Sequence, residues 1–212
     1  MKKLIPIVVI LIAFSGCIEI HEEIHIHKDK SGSISYKLES SQLGFIFNKI
    51  SNIIDIKIED QLKEKTEELA GLLKNKEGIS NVEFNMDHRT MDYELRCNFS
   101  DTKKLNAALY EAFGYKKTFF SPSYLKASNH SLKKINFSPL LKKYLEDEGI
   151  EIPSEYLSDV IFFRSSIYLP KEVKKANGKE VNIISEKNMV YQKFRLTDVI
   201  ENKVDVGIKI KY

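Results

Sequence analysis

The clearest structural signal in the chain is IEIHEEIHIHKDKSGSISYKL, residues 18–38. Isoleucines alternate here with histidines and glutamates, which is the period of a strand with one buried face. Residues 28–33 contain Asp29 and Gly32 and are typical of a turn. The alternation resumes in the apolar residues that follow, so we predict a β-hairpin. Its apolar residues are Ile18, Ile20, Ile24, Ile26, Ile34, Tyr36 and Leu38.

The segment before this hairpin is typical of a bacterial lipoprotein signal. Lys2 and Lys3 precede an apolar run, and Ser15 and Gly16 precede Cys17. The apolar segment 4–16 is too short for a membrane-spanning helix, which needs about 20 residues. We therefore predict that residues 1–16 are a cleaved signal peptide and that Cys17 becomes the lipid-modified N-terminus, with palmitate among its acyl chains. An ordinary cleaved signal or a short anchor is the alternative.

The distance between Cys17 and the first strand predicts how the protein is held. A strand that begins one or two residues after Cys17 lies within roughly 7 Å of the acylated backbone, at about 3.5 Å per extended residue. The folded domain should therefore rest on the bilayer. We expect a lipid-anchored protein of the cell envelope, on the periplasmic or extracellular side of a bacterial membrane. The sequence does not indicate which membrane.

The rest of the chain mixes helical and strand periodicities. Residues 59–76 and the segment that begins at residue 101 are predicted amphipathic helices, with a second hairpin between them. A further helix is expected after Ser40 or Ser41, and another at 139–148. Strands are expected at 160–169, 181–184, 190–196 and 204–210. We predict one α+β domain over 17–212, in which N- and C-terminal hairpins form an antiparallel sheet packed with several amphipathic helices, with a helical or loop insertion at 115–158.

Composition limits the classes of function. The chain has 212 residues, 42% of them hydrophobic and 30% charged, as in a globular protein. Its net charge of +3 falls by two when Lys2 and Lys3 are removed, which argues against a nucleic-acid partner. With Cys17 acylated, Cys97 has no disulfide partner in the chain. Its place in an alternating run predicts a buried core residue.

Two regions carry motifs of a known kind of protein. The first hairpin has Glu22-Glu23-Ile24-His25-Ile26 followed by Asp29-Lys30-Ser31-Gly32-Ser33. The C-terminal region has Ile167-Tyr168-Leu169-Pro170, then Asn177-Gly178, then Val190-Tyr191. This order resembles the uncharacterised envelope lipoproteins that include the LppM-like domain, over about 17–40 and 160–212. The resemblance implies a small α+β envelope domain with lipids or glycolipids as candidate partners, and it implies no catalytic residues.

The histidines of the first strand are the candidate metal ligands. His21, Glu23, His25 and His27 share one face, and His25 and His27 could both reach one Zn²⁺. The alternative is the polar face of a sheet near the membrane. We find no Gly-x-Ser-x-Gly elbow and no glycine-rich phosphate loop. The sequence therefore predicts no cofactor and a non-catalytic module, and a metal-dependent or hydrolytic enzyme that uses this strand is the alternative.

Aromatic and basic residues are interspersed between Tyr110 and Tyr144. Such a surface suits a headgroup layer or an anionic ligand, so we predict a binding surface in this region. The predicted contact residues are Phe119, Phe120, Tyr124, Lys116 and Lys117. Core packing of a loop-rich insertion explains the aromatic residues equally well. The expected partners are the membrane, through the N-terminal lipid, and an envelope lipid, a glycolipid or another envelope protein.

Overall fold

The computed structural model describes residues 18–39, 58–87, 92–112, 114, 118, 121–147 and 161–212. The predicted signal peptide, Cys17, the helix expected after Ser40 or Ser41, and residues 148–160 lie outside these ranges. The described part is α+β, as predicted, with eleven strands in two sheets and four α-helices. None of the described helices is long and apolar enough to cross a membrane.

The elements follow the predicted order closely. The strands are β1 (Ile18–Ile26), β2 (Gly32–Glu39), β3 (Ile79–Asp87), β4 (Asp92–Phe99), β5 (Leu125–Ala127), β6 (Ser131–Lys134), β7 (Ile161–Tyr168), β8 (Lys175–Asn177), β9 (Asn182–Ile184), β10 (Met189–Arg195) and β11 (Ile208–Lys211). The helices are α1 (Ile58–Lys74), α2 (Thr102–Ala112), α3 (Ser138–Asp147) and α4 (Leu196–Ile200), with a 3-10 turn at Ser185–Lys187.

The larger sheet has seven strands in the order β3-β4-β2-β1-β7-β10-β9. The β1–β2 and β3–β4 hairpins form as predicted, and β7 and β10 pair antiparallel. One pairing differs from the expected all-antiparallel arrangement, because β1 and β7 are parallel. β1 therefore lies in the interior of the sheet, with a partner along both of its edges.

The smaller sheet is antiparallel, in the order β5-β6-β11-β8. It combines residues 125–134, from the segment predicted as an insertion, with the C-terminal strand β11. Helix α1 packs on β3, α2 packs on β5, and α4 packs on β7 and β10, while α3 lies against α4. The smaller sheet and the helices together cover the inner face of the larger sheet.

Alternation along β1 decides which side chains enter the core. Ile24 and Ile26 are buried, whereas Glu23 and His25 lie half-buried on the outer face. Cys97 is also buried, at 3% exposure, which confirms its predicted core position. Burial raises the pKa of its thiol to about 11. The thiol is therefore protonated and unreactive at neutral pH.

One end of the larger sheet is defined by the residues paired at the start of β1. Ile18 pairs with Ile161, and Glu19 pairs with Glu39 and Phe162. Phe162 also pairs with Arg195 at the end of β10. We call this end, formed by Ile18, Glu39, Ile161 and Arg195, the anchor end, because Ile18 directly follows Cys17 in the chain.

Candidate functional site

A row of polar side chains crosses the inner face of the larger sheet. Tyr36, Glu22, Ser165 and Gln192 occupy paired positions on the adjacent strands β2, β1, β7 and β10. Glu22, Ser165 and Gln192 are each no more than 1% exposed. We call these four residues the polar row. They replace the apolar residues that the same inward positions carry on either side.

Lys134, on β6 of the smaller sheet, reaches across to the polar row. Its Nζ lies 2.5 Å from Glu22 Oε2 and 2.7 Å from Ser165 Oγ, and neither charged side chain has any exposed surface. The ammonium also lies over the rings of Phe137 and Phe163, at 5.7 and 5.5 Å from their centroids. The ion pair therefore joins the two sheets directly.

The Glu22 carboxylate has a complete set of donors. The Ser165 hydroxyl donates to Oε2 at 2.5 Å, and the hydroxyls of Tyr124 and Tyr36 donate to Oε1, the latter at 3.2 Å. With Lys134, four side chains contact this one group. A buried charge is tolerated only when it is paired and hydrogen-bonded in this way.

These contacts determine the protonation states. Burial opposes the charge on Glu22, but the Lys134 ammonium and the hydrogen bonds from Lys134, Ser165 and Tyr124 lower its pKa overall. Burial, together with the charge on Glu22, raises the pKa of Tyr36 and of Tyr124 well above the usual value. The carboxylate is therefore ionised, and both tyrosines remain neutral donors.

Ser165 and Lys134 have the side chains of a serine–lysine nucleophile pair, but their surroundings do not suit that chemistry. The lysine of such a pair must be unprotonated to accept the serine proton. Here Lys134 is ion-paired with Glu22, and both of those side chains are fully buried. The geometry is that of a structural connection between sheets.

The polar row also divides the apolar core. On one side, Phe163, Phe194, Val199 and Val206 form a cluster against which Ile20 packs. On the other side lies the main cluster, which includes Ile24, Ile167 and Val190. Because Glu22 lies between Ile20 and Ile24 on β1, the ionic contact separates two apolar regions of one continuous interior.

The outer face of the larger sheet is polar and holds a shallow depression of about 310 Å³. Its charges pair among themselves: Glu23 Oε1 lies 2.6 Å from His25 Nε2, and Lys37 Nζ lies 3.6 Å from Glu94 Oε1. The residues lining the depression are Glu23, His25, His27, Ser33, Ser35, Lys37, Glu94, Arg96 and Asn98. Self-paired charges leave hydrogen-bonding groups as the main feature of this face.

The predicted histidine ligands make separate contacts. His25 stacks on Tyr168, with ring centroids 4.2 Å apart, and His27 Nδ1 lies 3.0 Å from Ser31 Oγ. His21 Nε2 lies 3.0 Å from Ser166 Oγ, and burial and the nearby Arg164 lower the pKa of its imidazole. Within the described ranges, no three His, Cys, Asp or Glu side chains converge on one metal position. The zinc site stays a prediction that these contacts do not favour.

The predicted lysine-aromatic surface is described at only one of its five residues. Tyr124 is 9% exposed, and its hydroxyl is directed at Glu22 inside the protein. Lys116, Lys117, Phe119 and Phe120 lie outside the described residues. The binding surface therefore stays a prediction, and the ring of Tyr124 belongs to the core.

Sequence reasoning missed Glu22, although a signal for it exists. In Ile20-His21-Glu22-Glu23-Ile24, strict alternation assigns Glu22 to the same face as the isoleucines. A carboxylate at an inward position calls for a buried cation. The identity of that cation is not encoded locally, because Lys134 is 112 residues away in the chain.

Comparisons with known proteins give one structural similarity. No protein-family model matches the chain, and no curated protein matches it in sequence. Among solved structures, the chain is similar to the NMR structure of the folded domain of the Mycobacterium tuberculosis LppM protein. The TM-score is 0.39 and the identity 12%, over 93% of this chain and 91% of that chain. Similarity at this level assigns neither fold nor function, so the LppM-like resemblance stays a prediction.

Proposed function

We propose that this protein is a lipid-anchored envelope protein whose α+β domain is held against the bilayer and acts as a non-catalytic binding or structural module. The observation that carries the proposal is the position of β1. This strand starts at Ile18, one residue after the predicted acylated Cys17, and it lies in the interior of the larger sheet.

The start of β1 is fixed by its neighbours. Ile18 pairs with Ile161 of β7, and Glu19 pairs with Glu39 of β2. Consecutive Cα atoms are 3.8 Å apart, so an acylated Cys17 would lie beside a paired residue of the sheet. The anchor end of the sheet would then face the lipid headgroups, and the domain would have no flexible tether.

The outer face of the larger sheet is the surface we assign to a partner. Cations on it lie near carboxylates, as Arg96 does near Glu83 and Arg164 near Glu19, so its charges largely cancel. A partner recognised by hydrogen bonds fits such a face better than a strongly charged one. An envelope lipid headgroup, a glycolipid or another envelope protein meets this description. The alternative of a metal-dependent or hydrolytic enzyme on His21, His25 and His27 has no favourable contact among the described residues.

The anchor is tested by the intact mass of protein purified from the membranes of its host. We expect a chain that begins at Cys17 and carries acyl groups, without residues 1–16. Cys17→Ser should leave the protein without acyl groups. Cys97→Ser is the matched control, since it removes the other cysteine and should remain acylated. A wild-type protein that carries no acyl group at Cys17 would refute the proposal.

A further inference from the structure

We propose that the exposed side of α3 is a second membrane-contact surface, which docks on anionic lipid headgroups. It consists of Pro139, Leu140, Lys142 and Lys143, and we call it the α3 surface. The proposal rests on the proposed function for the anchor at Cys17. It adds a specific contact that fixes how the domain is oriented on the bilayer.

The first argument is location. Helix α3 packs against α4, which directly follows Arg195 at the anchor end. Phe137, just before α3, packs edge-on against Phe163 with centroids 5.4 Å apart. Phe163 pairs with Ile20, two residues from the start of β1. The α3 surface therefore lies on the part of the molecule nearest to Cys17.

The second argument is the chemistry of the helix. Leu141 faces inward and packs on the cluster that contains Phe163 and Val199. Its neighbour Leu140 is 42% exposed, and Pro139, Lys142 and Lys143 are exposed beside it. An apolar side chain flanked by lysines is the pattern of an interfacial contact with anionic lipid.

The acidic residues of α3 are separated from this surface along the sequence. Glu146 and Asp147 occupy the end of the helix, and the nearest ion pair, Lys142 to Glu146, is long at 4.0 Å and exposed. Such a pair is weak, so Lys142 can exchange it for a lipid phosphate. The first half of α3 thus presents positive charge, next to the predicted anchor.

A weak contact is sufficient because the domain is already tethered. A short link between Cys17 and the bilayer keeps the α3 surface at a high effective concentration near the headgroups. One leucine and two lysines then select an orientation without having to recruit the protein from solution. Contact at Leu140 should accordingly be strong on anionic vesicles and weaker on zwitterionic ones.

The chain contains no tryptophan, so Leu140→Trp introduces a unique fluorescent probe. Residues 17–212 would be coupled through the Cys17 thiol to a maleimide phospholipid, a reaction that the buried, high-pKa Cys97 does not compete with. Vesicles of phosphatidylcholine with and without phosphatidylglycerol would carry brominated acyl chains as quenchers. We expect a blue-shifted emission and quenching at least about twofold stronger on the anionic vesicles.

The matched probe is Ile183→Trp, at a side chain that is equally exposed, at 44%. Ile183 pairs with Val190, which is level with Ile24 on β1, about 20 Å from Ile18 at 3.3 Å per residue. This probe should show no quenching. Adding Lys142→Glu and Lys143→Glu to the Leu140→Trp protein should abolish the difference between the two lipids.

Unquenched Leu140→Trp on tethered, folded protein, or equal quenching of both probes, would overturn the proposal. Folding is checked by the circular dichroism of each variant, and protection of α3 amides from hydrogen exchange on anionic vesicles provides a second measurement on the unsubstituted chain. Because the maleimide lipid supplies the tether chemically, this result is independent of acylation in the cell. Failure of the α3 surface and failure of the Cys17 anchor are therefore distinguishable.

Discussion

Glu22 is a single carboxylate that four side chains from four separate parts of the chain contact. Lys134 comes from β6, Ser165 from β7, Tyr36 from β2, and Tyr124 from the segment before β5. Removing two charges from water costs several kcal/mol for each ion, and the mutual attraction repays this only when the geometry is complete. The pair therefore contributes most by excluding other arrangements of the two sheets.

Removal of one partner should be far more damaging than removal of both. Glu22→Gln leaves Lys134 as an unpaired buried cation, so we expect the free energy of unfolding to fall by about 3–5 kcal/mol. The double variant Glu22→Leu, Lys134→Met removes both charges and should recover most of that loss. Urea denaturation followed by circular dichroism measures both values.

The control for this prediction is an exposed ion pair. Lys76 Nζ lies 2.7 Å from Glu111 Oε2, with side chains 26% and 52% exposed. Glu111→Gln should lower stability by no more than about 1 kcal/mol. If Glu22→Gln proves as mild as Glu111→Gln, the ion pair does not join the sheets in the way that its geometry indicates.

Glu22 also predicts an acid dependence. Its folded pKa lies below the ordinary 4.5, so the unfolded chain takes up a proton first as the pH falls. The contribution of Glu22 to stability is then full above about pH 4.5 and declines below it as the pH approaches the folded pKa. Unfolding midpoints between pH 7 and pH 3 should fall more steeply for the wild type than for the double variant. Parallel curves would exclude Glu22 as a source of acid sensitivity.

At the scale of the element, local periodicity was sufficient to predict most strands and helices. The alternating isoleucines predicted β1 and β2, and the C-terminal strand expected at 160–169 is observed at Ile161–Tyr168. The helix expected at 139–148 is observed at Ser138–Asp147. The strand expected at 204–210 is shorter, Ile208–Lys211, because residues 201–207 form turns and loop after α4.

Which strands become neighbours was much harder to predict. Period-two alternation determines which face of β1 is buried, but it carries no information about the partner along its second edge. The parallel pairing with β7 joins residues more than 140 positions apart. The pairing of β6 with β11 likewise connects a segment predicted as an insertion with the C-terminus. Both depend on packing that no local pattern encodes.

Gly32 at the start of β2 offers a test at this scale. A Cβ atom there would lie 2.0 Å from the carbonyl oxygen of His25 and 2.6 Å from the ring of Phe99. Backbone cannot yield to such a contact, so Gly32→Ala should destabilise the protein by about 1–3 kcal/mol through strain in the β1–β2–β4 region. Thermal or urea unfolding measures the change.

Gly71, within α1, is the matched control. A Cβ atom at this position meets nothing within 4 Å. Gly71→Ala should therefore stabilise the protein by up to about 1 kcal/mol, because alanine loses less backbone freedom in a helix. The same substitution should thus have opposite signs at the two positions. A neutral or stabilising Gly32→Ala would show that β1 and β2 do not approach as closely as described.

At the scale of the whole molecule, the candidate site was predicted only in part. The histidine-bearing outer face of β1 follows from alternation, and the side chains on it are half-buried as expected. The buried network was not predicted, since Glu22, Tyr124, Lys134 and Ser165 become neighbours only through tertiary structure. Tyr124 in particular was expected at a surface and lies in the core, because its hydroxyl has a buried carboxylate as its partner.

The central claim concerns where the domain stands relative to the membrane. Neutron reflectometry tests it on residues 17–212 coupled through Cys17 to a supported bilayer. Because β1 starts at Ile18, we predict protein density that begins at the headgroups, with any hydrated gap no wider than about 7 Å, the reach of two extended residues. A protein layer separated from the headgroups by a solvent gap several times wider would contradict the account.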